Sequence, residues 1–192
     1  MPERNSAALD FLLTRRSRPA KTLVAPGPSA EELQEILTAA ARCPDHGKLE
    51  PLRFIVIEGG AMPRLAGLAE TRARALGKED DDIAKARRQF DQGHLAVAVV
   101  EVQKPSEKVP AIEQTYSAGA VCLALLNAAL AAGWGANWLS GWIAHDRDFC
   151  ETGLGLESHE RIAGLIHIAT ETNAPPERPR PDLDALTEWV TQ

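Results

Sequence analysis

Three cysteines, Cys43, Cys122 and Cys150, stand far apart with no Cys-x-x-Cys pair among them. That excludes a disulfide framework and a zinc site of ordinary spacing, and the thiols are read as reduced and mostly buried. No Gly-x-Ser-x-Gly elbow, His-Glu-x-x-His helix or Walker loop is present, which removes the usual hydrolytic and nucleotide-hydrolysing templates. Nor does a Gly-x-Gly-x-x-Gly follow a strand, so no dinucleotide is held by a Rossmann turn. Repeats and low-complexity segments are missing too. The opening Met1-Pro2-Glu3-Arg4-Asn5 has no apolar h-region, and no later segment reaches the ~18 uninterrupted apolar residues of a membrane span. The expectation is a cytoplasmic protein without a membrane partner. Positive charge is not in excess either: 21 Lys and Arg against 27 Asp and Glu give a net charge of −6, which argues against a nucleic-acid partner.

What remains is ordinary globular composition, 44% apolar and 25% charged over 192 residues. A chain of this length buries about 70% of its unfolded surface in one core, so residues 1–192 are read as a single domain.

Against the acidic background, Thr14–Lys21 packs Arg15, Arg16, Arg18 and Lys21 around Ser17. Ala7, Ala8, Phe11 and Leu12 before it follow helical spacing, and Pro19 forces the chain out of that helix near Ser17. Guanidinium forks match phosphate oxygens two at a time, and a Ser hydroxyl or freed N–H adds a donor. The alternative is a solvated helix end, where cations complement the macrodipole.

Beyond this cluster, Ser29 reads as an N-cap with Glu31 and Glu32 in the first turn of a helix running to about Ala41 that buries Leu33, Ile36 and Leu37. Arg42–Gly47 is a loop enforced by Pro44 and Gly47. Arg53–Glu58 is a core strand, and Met62–Leu76 has helical spacing. Lys78–Phe90, dense in charge, reads as an exposed helix or a mobile excursion over a site. His94–Gln103 is a strand apolar on both faces and therefore central. Pro110–Ala132 is a helix apolar nearly all round, of the kind that packs on a partner subunit, with Gly133 as its C-cap. Gly135–Leu139 and Arg161–Ala169 are further strands, with a helix starting near Asp146 between them. His167 reads as a core histidine with its hydrogen bonds satisfied. The proline-rich stretch 173–182 cannot enter a sheet interior, and Leu183–Val190 is a last short helix docked on another surface. Alternating strands and helices give an α+β fold, a mixed central sheet with helices on both faces.

Four pieces in this order resemble a known family. They are Arg15-Arg16-Ser17 after the first helix; Ala41-Arg42-Cys43-Pro44-Asp45-His46 followed by Glu50-Pro51; Ser117-Ala118-Gly119-Ala120 with Asn127 in the long helix; and Gly133-x-Gly135-x-x-Trp138-Leu139-Ser140-Gly141. Together they look like the FMN-dependent NAD(P)H nitroreductase family, most closely its short single-domain members with a Pro-Asp-His motif, over Leu9 to about Thr170.

The resemblance implies an intertwined homodimer with FMN at its interface. Arg15, Arg16 and Ser17 would hold the phosphate and ribityl chain. Arg42 and His46 would contact the flavin from the partner subunit, and Trp138, Leu139, Ser140 and Gly141 would pass along it. No metal and no protein nucleophile are implied. NADH or NADPH would reduce the FMN, and nitroaromatics, quinones or similar oxidised acceptors would be reduced in a ping-pong cycle. The alternative is an FMN-binding or storage protein without turnover. The tail 173–192 is expected to pack on the partner subunit. Two departures stand out: Glu50-Pro51-Leu52 replaces a common Gln-Pro-Trp, and Ala169-Thr170-Glu171 replaces a Gly-x-Pro ending. Arg18 and Lys21 are candidates for the cation beside flavin N1, whereas Arg178 and Arg180 read as solvated tail charge, with contact to a phosphate as the alternative.

Overall fold

The computed structural model describes residues 3–192; Met1 and Pro2, part of the N-terminal stretch read above, lie outside the described residues. The helices are α1 (Ser6–Thr14), α2 (Ala30–Ala40), α3 (Met62–Ala75), α4 (Asp80–Asp91), α5 (Ala111–Ala131), α6 (Arg147–Leu154) and α7 (Leu183–Leu186). The strands are β1 (Leu23–Val24), β2 (Leu52–Glu58), β3 (Leu95–Glu101), β4 (Gly135–Leu139) and β5 (Arg161–Glu171). Local chemistry sets many of the boundaries. Ser29 and Glu32 form a reciprocal capping box at the start of α2, and Asp146 caps α6, accepting from Phe149 N. Gly155, at φ 68°, closes α6 in the left-handed conformation that glycine adopts without a steric penalty.

The strands form one sheet in the order β1-β5-β3-β2, with β4 also paired to β5. Every pairing is antiparallel, which corrects the expected mixed sheet. Between β2 and β3 the chain makes two helical crossings, α3 and α4, and an even number of crossings returns it antiparallel to the strand it left. The single crossing α5 does leave β3 and β4 pointing the same way. Their common neighbour β5 lies between them and runs opposite to both.

Every residue of β3 is buried, and two cores lie on its two faces. Leu65, Phe90, Ala98, Phe149 and Leu165 pack on the α3, α4 and α6 side. Leu33, Ile36, Val99, Leu125 and Ile166 pack on the α2 and α5 side. Among the described residues α5 alone is long and apolar enough, by length and composition, to cross a membrane. Here it serves as a core helix, with eight residues buried, Leu125 and Ala129 among them. Its outward side keeps Ile112, Tyr116 and Leu123 exposed. The apolar residues of α1 find no burial either: Leu12 and Leu13 are 56% and 68% exposed. The last helix is shorter than its spacing suggested, one turn ending at Leu186, and leaves Trp189 and Val190 exposed.

Candidate functional site

Helix α1 ends at Thr14, earlier than the expected exit near Ser17: Arg15 N donates to Phe11 O at 2.7 Å and the backbone is already extended at Arg15, ahead of Arg18, the position that Pro19 itself restricts. Arg18 N donates to Ala136 O at 2.8 Å, fastening this extended segment to β4. The result is a cavity of about 260 Å³ whose lining includes Thr14, Arg15, Arg16, Arg18, Trp134 and Glu171. Arg15 Nη2 donates to Ser17 Oγ at 3.1 Å, and Arg18 Nε donates to Glu171 Oε2 at 2.7 Å. Arg180 joins from the tail. Burial first, and then the nearby Arg180, Arg16 and Arg18, push the Arg15 guanidinium below its ordinary value. Arg15 Nε and both Nε and Nη1 of Arg16 are buried without a hydrogen-bond acceptor. Buried polar groups are normally paired, and charged donors left unpaired cost the most. A multidentate anion such as a phosphate monoester has the charge and the oxygens to satisfy them.

A second cavity, about 360 Å³, begins where the first segment ends. Pro19, Lys21, Asn137 and Leu139 line one side, and Lys85, Arg88, Gln89 and Gln92 the other. The segment read as exposed helix or mobile excursion is the packed helix α4, anchored by Ile83, Ala86 and Phe90. Residues 85, 88, 89 and 92 follow i, i+3, i+4, i+7 spacing on its opposite face. Gln89 Nε2 is buried here without a partner. Along β4 side chains alternate, so Asn137 and Leu139 face this cavity while Trp138 turns to the other face. Its indole lies so close to Gly164 that a Cβ there would overlap the ring. Trp138 is 38% exposed. Ser140 is exposed, and Gly141, at φ 109°, makes the turn that leaves the strand.

The remaining predicted residues lie elsewhere. Arg42 is exposed at the end of α2, and His46 sits on the loop beyond it. That loop holds Gly47, Lys48 and Glu50 at positive φ and is tied by Leu49 N donating to Asp45 Oδ1 at 2.6 Å. His46 Nδ1 is 2.6 Å from Glu113 Oε2, in the first turn of α5. Arg15 and Arg16 sit by Leu130 and Gly133, at the other end of the same helix. A rise of 1.5 Å per residue separates the two ends of α5 by about 26 Å. One protomer therefore brings Arg15, Arg16 and Ser17 together with the Leu139 cavity and leaves Arg42 and His46 apart from them.

Sequence reasoning missed Lys85, Arg88, Gln89 and Gln92. Their shared helical face, opposite the apolar one, was the available signal. Arg180, for which both a solvated position and a phosphate contact stood open, lies near enough to Arg15 to disfavour its charge and pairs with Glu177 at 2.9 Å. Arg18 is committed to Glu171 at a single 2.7 Å contact. His167 departs from the expected satisfied core histidine: its Nε2 is buried with no partner, and burial lowers its pKa to about 4.

The nitroreductase family model matches residues 12–170 of this chain. YdjA of Escherichia coli K12, whose name gives NAD(P)H nitroreductase as a provisional designation, is 37% identical over 163 residues, spanning 85% of this chain and 87% of that protein. A Haemophilus influenzae protein with the same provisional designation is 35% identical over 165 residues, 85% and 88% of the two chains. In fold, a nitroreductase-like family protein from Bacillus cereus superposes with a TM-score of 0.80 at 23% identity, over 99% of this chain and 98% of that one. A Desulfovibrio desulfuricans protein crystallised in complex with FMN gives 0.72 at 20% identity, over 99% and 100%. With the arginine cluster at the end of α1, the antiparallel sheet and a match over most of its length, the chain belongs to the nitroreductase family.

Proposed function

We propose that the protein is an FMN-dependent oxidoreductase that passes electrons from NADH or NADPH to nitroaromatic, quinone or similar oxidised acceptors. The observation that carries this reading is the set of orphaned, buried guanidinium N–H groups on Arg15 and Arg16. Arg15, Arg16 and Ser17 would take the FMN phosphate, and the segment Trp138 to Gly141 would run beside the flavin ring. Lys21, Lys85 and Arg88 would place positive charge at its electron-accepting edge, which favours the reduced form. When bound, FMN would supply the redox chemistry, hydride acceptance from a nicotinamide and electron donation to a second substrate in a ping-pong cycle. The protein's own part is binding, orientation and electrostatics.

The same reading assigns a homodimer. The exposed apolar residues of α1, α5 and the tail are what a second copy would cover, and exposed apolar patches of this kind mark interaction surfaces. In a two-fold dimer with α5 helices crossing antiparallel, His46 and Arg42 of one protomer approach the Arg15 end of the other. The length of α5 between Glu113 and Leu130, about 26 Å, which keeps His46 from Arg15 within one protomer, would then be spanned by the partner.

The test is the visible spectrum of the purified protein, before and after anaerobic NADH and then NADPH. Flavin bands that bleach on donor addition, and return with a nitroaromatic or quinone, are the expected outcome. Bands that persist with both donors would leave a flavin-binding protein without turnover. No flavin uptake even from added FMN would overturn the reading.

A further inference from the structure

The Arg15 cluster is not bare in the protomer: Glu177 supplies an anion to it. One carboxylate oxygen, Oε1, lies 3.5 Å from Arg16 Nη1 and 2.9 Å from Arg180 Nη2. The same oxygen accepts from Arg178 N at 3.1 Å. This oxygen occupies the position that an oxygen of an anionic ligand would take between two guanidinium groups. It does so poorly, because Arg16 Nη1 and Nε still lack a hydrogen-bond acceptor.

Two carboxylates serve this cluster, and they are held very differently. Glu171 is in β5, paired in register with Leu23, so its bond to Arg18 is part of the sheet. Glu177 lies on a segment with Pro175, Pro176, Pro179 and Pro181, which offers few N–H groups for a ladder and favours an extended, stiff chain. Its side chain is 64% exposed. The last firm tie before it is Thr172 Oγ1 donating to Thr22 O at 2.8 Å. Ion pairs to Arg16 and Arg180 tie the Glu177 side chain to the cluster, and exposed ion pairs contribute little.

We propose that Glu177 is a displaceable counter-ion: it pairs with Arg16 and Arg180 at the edge of the arginine cluster, and an arriving phosphate monoester displaces it and frees Arg180 to turn toward the phosphate. This rests on the FMN reading for the identity of the ligand, while the displacement itself concerns phosphate chemistry alone. The consequence is an internal competition that weakens cofactor affinity and couples the position of the tail to cofactor loading.

The experiment compares Glu177→Gln with the unaltered full chain, both freed of flavin, by titration with FMN, riboflavin and inorganic phosphate. Removing one competing negative charge within the cluster should tighten FMN binding about three- to tenfold, tighten inorganic phosphate, and leave riboflavin unchanged. Added salt should shrink the difference. Equal FMN affinity in the two proteins overturns the proposal, and so does an equal gain for riboflavin, which has no phosphate. Should neither protein take FMN while the variant still binds phosphate more tightly, the cofactor reading falls and the displacement stands. Unchanged phosphate affinity in that case removes both.

Discussion

Two buried groups set expectations at the scale of single residues. Arg16 keeps two N–H groups buried and unpaired, and charge-assisted hydrogen bonds contribute about 1.5–3 kcal/mol each. Arg16→Leu should therefore weaken FMN about 10- to 100-fold in an equilibrium titration while riboflavin changes little. Similar losses for both flavins would place Arg16 away from the phosphate. His167 concerns stability instead. Its folded pKa, about 4, lies below the ordinary 6.5 because burial disfavours the charged ring. Between those values the unfolded chain binds more protons than the folded one, so stability is fully present above pH 6.5 and falls as pH drops toward 4. The loss should approach about 3 kcal/mol, and His167→Met should flatten the slope of denaturation free energy against pH over that window. An unchanged slope would mean that the imidazole is already protonated in the fold. Glu160 acts in the same direction lower down. Its hydrogen bonds from Arg53 hold it at about 2, so its contribution is lost only below pH 4.5.

At the scale of elements, α4 is the part whose meaning changed most between sequence and structure. Its charge density reads as a solvated face or a mobile excursion, because composition does not say what a polar face points at. The structure gives it an apolar face anchored on Phe90 and a polar face lining the cavity shared with Lys21 and Leu139. Lys85 and Arg88 are both exposed, so their influence on a bound flavin is long-range charge more than tight contact. The double substitution Lys85→Ala with Arg88→Ala should lower the flavin midpoint potential by about 30 mV, the equivalent of about 1.4 kcal/mol for two electrons, with at most a modest change in FMN affinity. Spectroelectrochemistry reads this directly, and an unmoved potential would place the cations away from the ring. Other elements were legible because their signals are local: the Ser29 cap and the all-apolar β3. What was not legible is non-local. β1 has only two residues, too few to show a period, and the antiparallel sheet follows from which strand slips between β3 and β4, a matter of topology that no window of sequence contains. The site divides in the same way. Arg15, Arg16 and Ser17 are contiguous, so the cluster was visible, but its chemistry alone fits a solvated helix end as well as an anion site, and the family resemblance was what pointed to phosphate. Lys85 reaches its cavity, and Arg180 the neighbourhood of Arg15, only through the fold.

As a whole molecule, one protomer leaves apolar surface uncovered on three elements. Tyr116 is 67% exposed and Leu123 47%, on a helix whose other face is the core of the sheet. Leu12 and Leu13 of α1 and Trp189 of the tail are exposed as well. A dimer along α5 would cover the first group and bring His46, held by Glu113, to the neighbouring protomer's arginine cluster. The substitutions Tyr116→Asp and Leu123→Glu put two charges into that contact without touching the buried positions Val121, Cys122 and Leu125. Burying an unpaired charge costs several kcal/mol, enough to dissociate a dimer at micromolar concentration. The unaltered protein should sediment as a dimer and the double variant as a monomer with unchanged helix content by circular dichroism. If each site draws on both protomers, the monomer should also lose FMN, although Arg15, Arg16 and Ser17 remain intact. A monomeric variant that keeps full FMN affinity would show that one chain builds the whole site, and would leave His46 and Arg42 with no part in it.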